Sequence, residues 1–597
     1  MCRIAGILNK SLPIEGISAL VKKMCDLQKH GGPDDEGMFI AADDSLVMGH
    51  RRLSLLDLSS AGHQPMQWGN RFTISYNGEV YNFKEIKQEL IGLGHSFKSN
   101  TDTEVILAAY AQWGSQSFAK LKGMFAFALW DQQEKELFLV RDASGIKPLF
   151  YAADEDGICF ASETRVFQML EGKNQTNPNW PVFLLAYGHI PEPVTTFKEV
   201  KPVPKGCFIK YRVSDHSWNL QSFKFYSFSN KKMTEAAAQE AIHQTLKDAV
   251  SRHLIADAPI GVFLSGGVDS GIIAALASQQ QKQELHSLSL YFEEAAFSEK
   301  PYQDILIKEL QCKSDQYLLK EKEFEDFFPA VLSAMDMPSC DGINTWFISK
   351  AAKEQGLKAV LSGIGADELF GGYPSFNRIG IAGQIHKLPA VMLKAGKKSN
   401  HKILNRLSYL AMDGIKGIYL FLRGHFTVHE IARQLNMTEK EVWNILNDSP
   451  MLMDIDNLTT KNQASWMELN LFMQNQLLRD VDAMGMAHGV EIRVPFLDND
   501  FKELALSIHP AVKYSGTIPK ALLVNSFKEL LPKAIWDRPK MGFAFPFKSW
   551  MENSAYVENK LNQGNKNTQF NYQKFREGNL HWSQIMSLVI LNNAGHA

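Results

Sequence analysis

The stretch Ser265-Gly-Gly-Val-Asp-Ser270 has the composition of an anion cradle. It follows the apolar run Pro259–Leu264, which reads as a buried strand, and precedes Gly271–Ser278, which reads as a helix. A strand-to-helix turn gathers free backbone N–H groups and the positive end of a helix dipole at one point, and that point attracts phosphate. Gly266 and Gly267 let the backbone come close, and Ser265 and Ser270 add hydroxyl donors. Asp269 would repel a phosphate unless a cation lay between them, most simply Mg2+. A second segment, Ala359–Tyr373 (AVLSGIGADELFGGY), repeats the pattern: a β-like run ends in Ser362-Gly363, followed by the acidic pair Asp367-Glu368. Ser362 and Gly363 are expected to line the same phosphate site, with Asp367 as the metal's second carboxylate opposite Asp269.

Cys2 offers a different chemistry. Removal of the initiator methionine would leave its thiol beside a free α-amine, whose reference pKa of about 7.7–8.0 suits a base near neutrality. Thiol and base on one residue make a nucleophile pair. Downstream lie Gly31–Gly37 (GGPDDEG), His50–Asp57 (HRRLSLLD), Tyr76–Glu79 (YNGE) and Ser99–Glu104 (SNTDTE). Their spacing is similar to that of the class II glutamine amidotransferases, which use an N-terminal cysteine. The resemblance implies that Arg52 pairs with the carboxylate of glutamine and that Glu79 and Asp102 take its ammonium. It also implies that Asn77 and Gly78 donate to the oxyanion formed when the Cys2 thiolate attacks the side-chain amide. Each role suits the group assigned to it. Asn77-Gly78 also reads as a turn between strands.

The loop at 265–270 resembles the pyrophosphate loop of the ATP pyrophosphatases. Together with Arg479–Asp498 (RDVDAMGMAHGVEIRVPFLD), Arg538–Phe543 (RPKMGF) and the front end, it makes the chain resemble the glutamine-hydrolysing asparagine synthetase family from Cys2 to about Trp550. The resemblance implies a mixed α/β and α+β protein of two domains. Residues 2–210 would form an Ntn-hydrolase αββα glutaminase sandwich. Residues 225–597 would form a doubly wound parallel-sheet ATP pyrophosphatase domain of the adenine nucleotide alpha hydrolase kind. The implied reaction takes ammonia from glutamine and passes it through the interior to a second site. There ATP and Mg2+ turn the side-chain carboxylate of aspartate into an acyl-AMP, and ammonia displaces AMP. The resemblance places Phe263 and Leu290 beside the adenosine and makes Lys540 the candidate cation for charge developing on the pyrophosphate. Position 364 departs from the pattern, because isoleucine stands where asparagine synthetases carry an acid. Either Glu368 or Glu491 substitutes, or the acceptor is another carboxylate, such as a uronic-acid sugar or a secondary metabolite. A non-catalytic ATP-binding homologue is the reading from another class; the intact Cys2, Arg52, Asp102, Asp269 and Asp367 argue against it.

Elements must hold these groups in place. Residues 1 to about 210 read as β-rich, with strands at Arg3–Leu8, Phe72–Tyr76, Met124–Trp130 and Leu137–Val140 and helices at Lys84–Leu90 and Thr103–Tyr110. The proline-rich stretch from Asn174 to Gly206 lacks periodicity and reads as the connection between domains. From Met233 strands (260–264, 285–290, 359–361) alternate with helices (234–248, 299–310), the pattern of a parallel sheet. Residues 380–510 read as helical. Within them Thr427–Val442 reads as two packed helices rather than a DNA-reading pair, because no basic surface accompanies it. At 597 residues the chain is too long for one core. A net charge of -2 argues against a general nucleic-acid or membrane-surface binder. No run of about 18 apolar residues offers a membrane span, and the N-terminal apolar stretch is too short for a signal peptide. Six scattered cysteines with no C-x-x-C pair suit the reduced thiols of a cytoplasmic protein. The expected partners are glutamine, aspartate or another small carboxylate, and ATP, with no nucleic acid and no membrane; a homodimer is left open.

Overall fold

A computed structural model of the chain describes residues 2–43, 45–280, 285–394, 402–449, 455, 457–539, 541 and 545–594. Alternation of side chains builds the first half. In β1 (Arg3–Asn9), Ile4 and Leu8 face one way and join a cluster with Trp130, Leu137 and Phe160, while Ala5 and Ile7 face the other way and pack under the helix α1 (Ile14–Leu27). β1 is central in an antiparallel sheet with β2 (Asp35–Ile40), β3 (Leu46–Arg52), β8 (Phe150–Ala153), β9 (Gly157–Ala161) and β10 (Lys201–Pro202), ordered β10-β8-β9-β1-β3-β2. The second sheet, ordered β12-β11-β7-β6-β5-β4, holds β4 (Met66–Trp68), β5 (Phe72–Val80), β6 (Gly123–Asp131), β7 (Glu136–Arg141), β11 (Cys207–Arg212) and β12 (Ser217–Ser222). In β6 the residues Ala126, Ala128 and Trp130 face the first sheet. Phe125, Phe127 and Leu129 face the helices α2 (Phe83–Gly92) and α3 (Asp102–Trp113). The layers are therefore αββα.

Two expectations are corrected here. Asn77-Gly78 is not a turn: both residues lie inside β5, opposite Ala126 and Phe125 of β6. The flanking strand-forming residues override the dipeptide. Gly78 has φ 149°, and a Cβ there would meet the Met124 carbonyl oxygen at 2.1 Å, so glycine is required by close approach to β6. The stretch 174–206 is not the connection either. Its residues Trp180–Tyr187 form α4, buried along its whole length, after which the chain returns to the sandwich through β10, β11 and β12. A helix that is apolar all round shows no amphipathic period. The sandwich thus runs to Ser222, past position 210, and the crossing segment follows it. There Tyr226 lies 4.5 Å from the Lys502 ammonium and Phe228 lies 5.3 Å from that of Lys513.

The second half is built on a parallel sheet ordered β15-β14-β13-β16-β17. Its strands are β13 (Ile260–Phe263), β14 (His286–Tyr291), β15 (Lys313–Leu318), β16 (Ala359–Leu361) and β17 (Glu491–Arg493). The order reverses between β13 and β16, and such a switch point opens a crevice at the carboxyl ends of the strands. The loops 264–267 and 362–365, which leave these two strands, therefore meet there. α5 (Glu235–His253) and α6 (Val268–Gln280) pack against this sheet. Helices fill much of 380–510, and Val428–Leu435 and Glu439–Asn447 form the expected packed pair, each started by a threonine capping box. Among the described residues no helix is long and apolar enough to cross a membrane.

Candidate active sites

At the switch point lies a cavity of about 870 Å³, within the usual range for small-molecule sites. Phe263, Ser265, Gly267, Asp269, Ser270, Leu290, Ser362, Gly363 and Asp367 all line it, as expected from the sequence. Gly266 does not; with φ 87° it turns the loop against Tyr302. The loop is tied to itself: the Gly267 N–H donates to Ser265 Oγ (3.3 Å), and Ser265 Oγ and Ser270 Oγ lie 3.0 Å apart.

The two carboxylates expected on the metal converge on one point, and the ammonium of Lys520 stands at it. Its Nζ lies 2.6 Å from Asp269 and 2.7 Å from Asp367. Burial pulls the Lys520 ammonium down, but the two carboxylates outweigh burial and hold it charged. Sequence reasoning missed Lys520. It sits in no motif, and its one local signal is a lysine after proline at the start of a helix, Ala521–Phe527. Lys540 falls outside the described residues. Two positions earlier, Arg538 lines the cavity, lies 3.7 Å from the Tyr302 ring, and donates to the Gly266 carbonyl (3.0 Å) and Glu299 (2.8 Å).

Ile364 lines the same cavity. Of the two acids proposed to replace the missing one, Glu368 lies there, accepts from the Tyr373 hydroxyl at 2.8 Å, and is pushed up to about 7 by burial and by Asp367. Glu491 does not line it; it pairs with Arg493 at 2.7 Å between the two halves. The Arg493 backbone carbonyl in turn accepts from Ser362 N at 2.8 Å.

The first half carries a smaller pocket, enclosing about 30 Å³, that brings together Cys2, Arg52, Gly78, Glu79 and Asp102. β1 delivers Cys2, β3 Arg52, β5 residues 77–79, and the first turn of α3 Asp102. The Cys2 N–H donates to Asn77 Oδ1 at 3.1 Å. The Asn77 Nδ2 group is buried and makes no hydrogen bond among the described residues, which leaves a preorganised donor for an oxyanion. Burial pushes the Cys2 thiol up, so its ionisation needs a nearby base. Arg52 donates to the carbonyls of Leu56 (3.2 Å), Asp57 (2.6 Å) and Ser59 (3.1 Å). The 56–59 loop thus fixes the Arg52 guanidinium at the edge of this pocket. The Glu79 carboxylate faces Arg493 of β17 at 3.4 Å.

Asp102 accepts from the Tyr76 hydroxyl (2.7 Å) and from Val80 N (2.8 Å), yet burial pushes it up to about 6. An ammonium needs the carboxylate form, which exists above that value and is lost as pH falls through it. Glutamine hydrolysis should therefore lose kcat/KM about tenfold per pH unit below roughly 6. Asp102→Asn should remove this acid limb along with most of the activity, as a pH–rate series on glutamate release would register.

An αββα sandwich with a cysteine at its edge and a doubly wound nucleotide crevice, on one chain, define a two-site ATP-using amidotransferase. Comparison with known proteins agrees. The asparagine synthase model matches residues 241–588, and the glutamine amidotransferase domain model matches residues 1–224. The chain belongs to the asparagine synthase family. It is 29% identical over 578 residues to asparagine synthetase [glutamine-hydrolyzing] 1 of Bacillus subtilis, covering 93% of this chain and 88% of that one. It is 31% identical over 453 residues to putative asparagine synthetase [glutamine-hydrolyzing] 2 of Methanocaldococcus jannaschii, covering 70% and 83%. It is 27% identical over 580 residues to amidase chry2 of Gibberella zeae, covering 88% and 84%.

Proposed function

We propose that the protein makes asparagine from aspartate, with glutamine as the nitrogen donor and ATP as the energy source. The Cys2 thiolate attacks the side-chain amide of glutamine. Asn77 and Gly78 hold the oxyanion, and hydrolysis releases glutamate and ammonia. At the second site the aspartate side-chain carboxylate displaces pyrophosphate from ATP to give an acyl-AMP. Ammonia then displaces AMP, and the proton it sheds has an acceptor nearby in the Glu368 carboxylate.

The observation that carries this reading is the meeting of loops 264–267 and 362–365 around Asp269, Asp367 and Lys520, on the same chain as the Cys2–Asn77 pair. Lys520 would counter charge growing on the pyrophosphate, with Arg538 beside it. The donor set also fits Mg2+. Two hard carboxylate oxygens face a single cationic point, which the Lys520 ammonium takes in this structure. Among the described residues no group of three or more acidic, histidine or cysteine side chains could hold a metal unaided, so phosphate oxygens must complete the shell. When bound, the ion supplies charge neutralisation on the phosphates. We place the protein in the cytoplasm, which suits its six unpaired cysteines.

The test is a panel of carboxylates supplied with glutamine and ATP. Aspartate should yield asparagine, glutamate, AMP and pyrophosphate in equal amounts. No turnover of aspartate, with turnover of another acid, would remove the assignment of the acceptor.

A further inference from the structure

One buried ion pair joins the two halves of the chain through the glutamine pocket. Glu79 lines that pocket, and its Oε1 lies 3.4 Å from Arg493 Nη2. The other donors of Arg493 are fixed inside the second half. Nη1 donates to the carbonyls of His253 and Ile255, each at 2.7 Å, and Nε donates to Glu491 at 2.7 Å. The Tyr81 ring lies 5.8 Å from the guanidinium carbon. The planar fork is thus clamped, and Nη2 is the corner nearest Glu79, within ion-pair range and without a hydrogen bond among the described residues.

We propose that Arg493 is a positioning residue of the glutamine site: from the second half of the chain its clamped guanidinium holds the Glu79 carboxyl group in place to receive the ammonium of glutamine. The glutaminase is then complete only while the two halves are docked. This rests on Glu79 being a glutamine-binding residue.

The electrostatics follow from the neighbours. Burial pushes Glu79 strongly toward its neutral form, and Arg493 is the main group opposing it. Glu491 of β17 and Asp102 of α3 push the same way as burial, and the amino-terminal charge pulls the other way. Tyr76 and Tyr81, both raised by burial, stay neutral near pH 7. Even beside Arg493, burial holds the Glu79 carboxyl well above the usual carboxylate range, and without Arg493 it moves higher still, so less of the carboxylate form is there to bind an ammonium.

The experiment measures glutamate release from glutamine without ATP or acceptor, so it does not depend on what the second site amidates. Synthesis from ammonium by the same protein reports whether the second half is folded. R493Q should raise the glutamine KM by about tenfold or more at pH 7, with a smaller change in kcat and with ammonium-driven synthesis within about twofold of wild type. Raising the pH should lower the KM of both proteins as Glu79 loses its proton, with the R493Q curve displaced to higher pH than the wild-type curve. R493K keeps the positive charge and should recover most of the loss. An unchanged KM in R493Q, or a raised KM that does not move with pH, overturns the proposal. If R493Q loses ammonium-driven synthesis by misfolding, R493K carries the test alone. Its KM curve must then lie at higher pH than the wild-type curve, and superimposable curves overturn the proposal. Failure of the functional reading would look different: wild type itself would release no glutamate.

Discussion

Cys2→Ala is expected to remove glutamine-driven synthesis and to leave synthesis from ammonium at its wild-type rate. In the proposed mechanism the Cys2 thiol forms the covalent bond that splits amide hydrolysis into two steps. What remains without it is positioning by Arg52, Glu79 and Asp102 and a donor at Asn77, which cannot attack carbon. Loss of a covalent nucleophile costs about 10⁴-fold or more in kcat. The side chain is nearly buried, at 8% exposure, but removing a single sulfur from the edge of β1 leaves the sandwich core untouched. The second site lies in the other half of the chain, and ammonium reaches it from solution. Amino-acid analysis of parallel reactions with glutamine and with ammonium chloride separates the outcomes. Glutamine-driven asparagine production surviving the substitution would show that the nucleophile lies elsewhere.

The two sites were not equally legible in the residues. The loop after β13 is readable because a short apolar run that stops at Ser-Gly-Gly reads as a strand leaving the core. The segment after β16 repeats that grammar. What makes them one site is the strand order, and the reversal between β13 and β16 is a long-range fact that local pattern does not carry. Lys520 is hidden for the same reason: its meaning lies in two carboxylates 251 and 153 positions away in the chain, so only folding brings the three together. Arg493 is hidden more deeply. It lies in the Arg479–Asp498 motif within a stretch that reads as helical but forms β17, and its partner Glu79 belongs to the other half. The errors have local causes. Asn77-Gly78 carries a turn preference that cross-strand pairing to β6 overrides. α4 was read as linker because prolines flank a helix with no polar face.

The second large effect falls on the charge triad of the synthetase cavity. Asp269→Ala should abolish synthesis from glutamine and from ammonium alike, by about 10³-fold or more, while glutamate release persists. Lys520→Met should do the same to synthesis, but the two variants should part in their stability. Asp269→Ala leaves Lys520 paired with Asp367, so one favourable contact survives. Lys520→Met removes the ammonium that both Asp269 and Asp367 contact, so two ion pairs are lost together. Removing one partner of a buried pair costs about 3–5 kcal/mol. The two carboxylate side chains are 20% and 17% exposed, so water screens part of that cost and about 2–3 kcal/mol is the expectation here. Chemical denaturation of the ligand-free proteins should therefore rank Lys520→Met below Asp269→Ala. If Asp269→Ala made asparagine from ammonium at the wild-type rate, the phosphates of ATP could not lie between the two loops. The switch-point cavity would then have to be given up as the synthetase site.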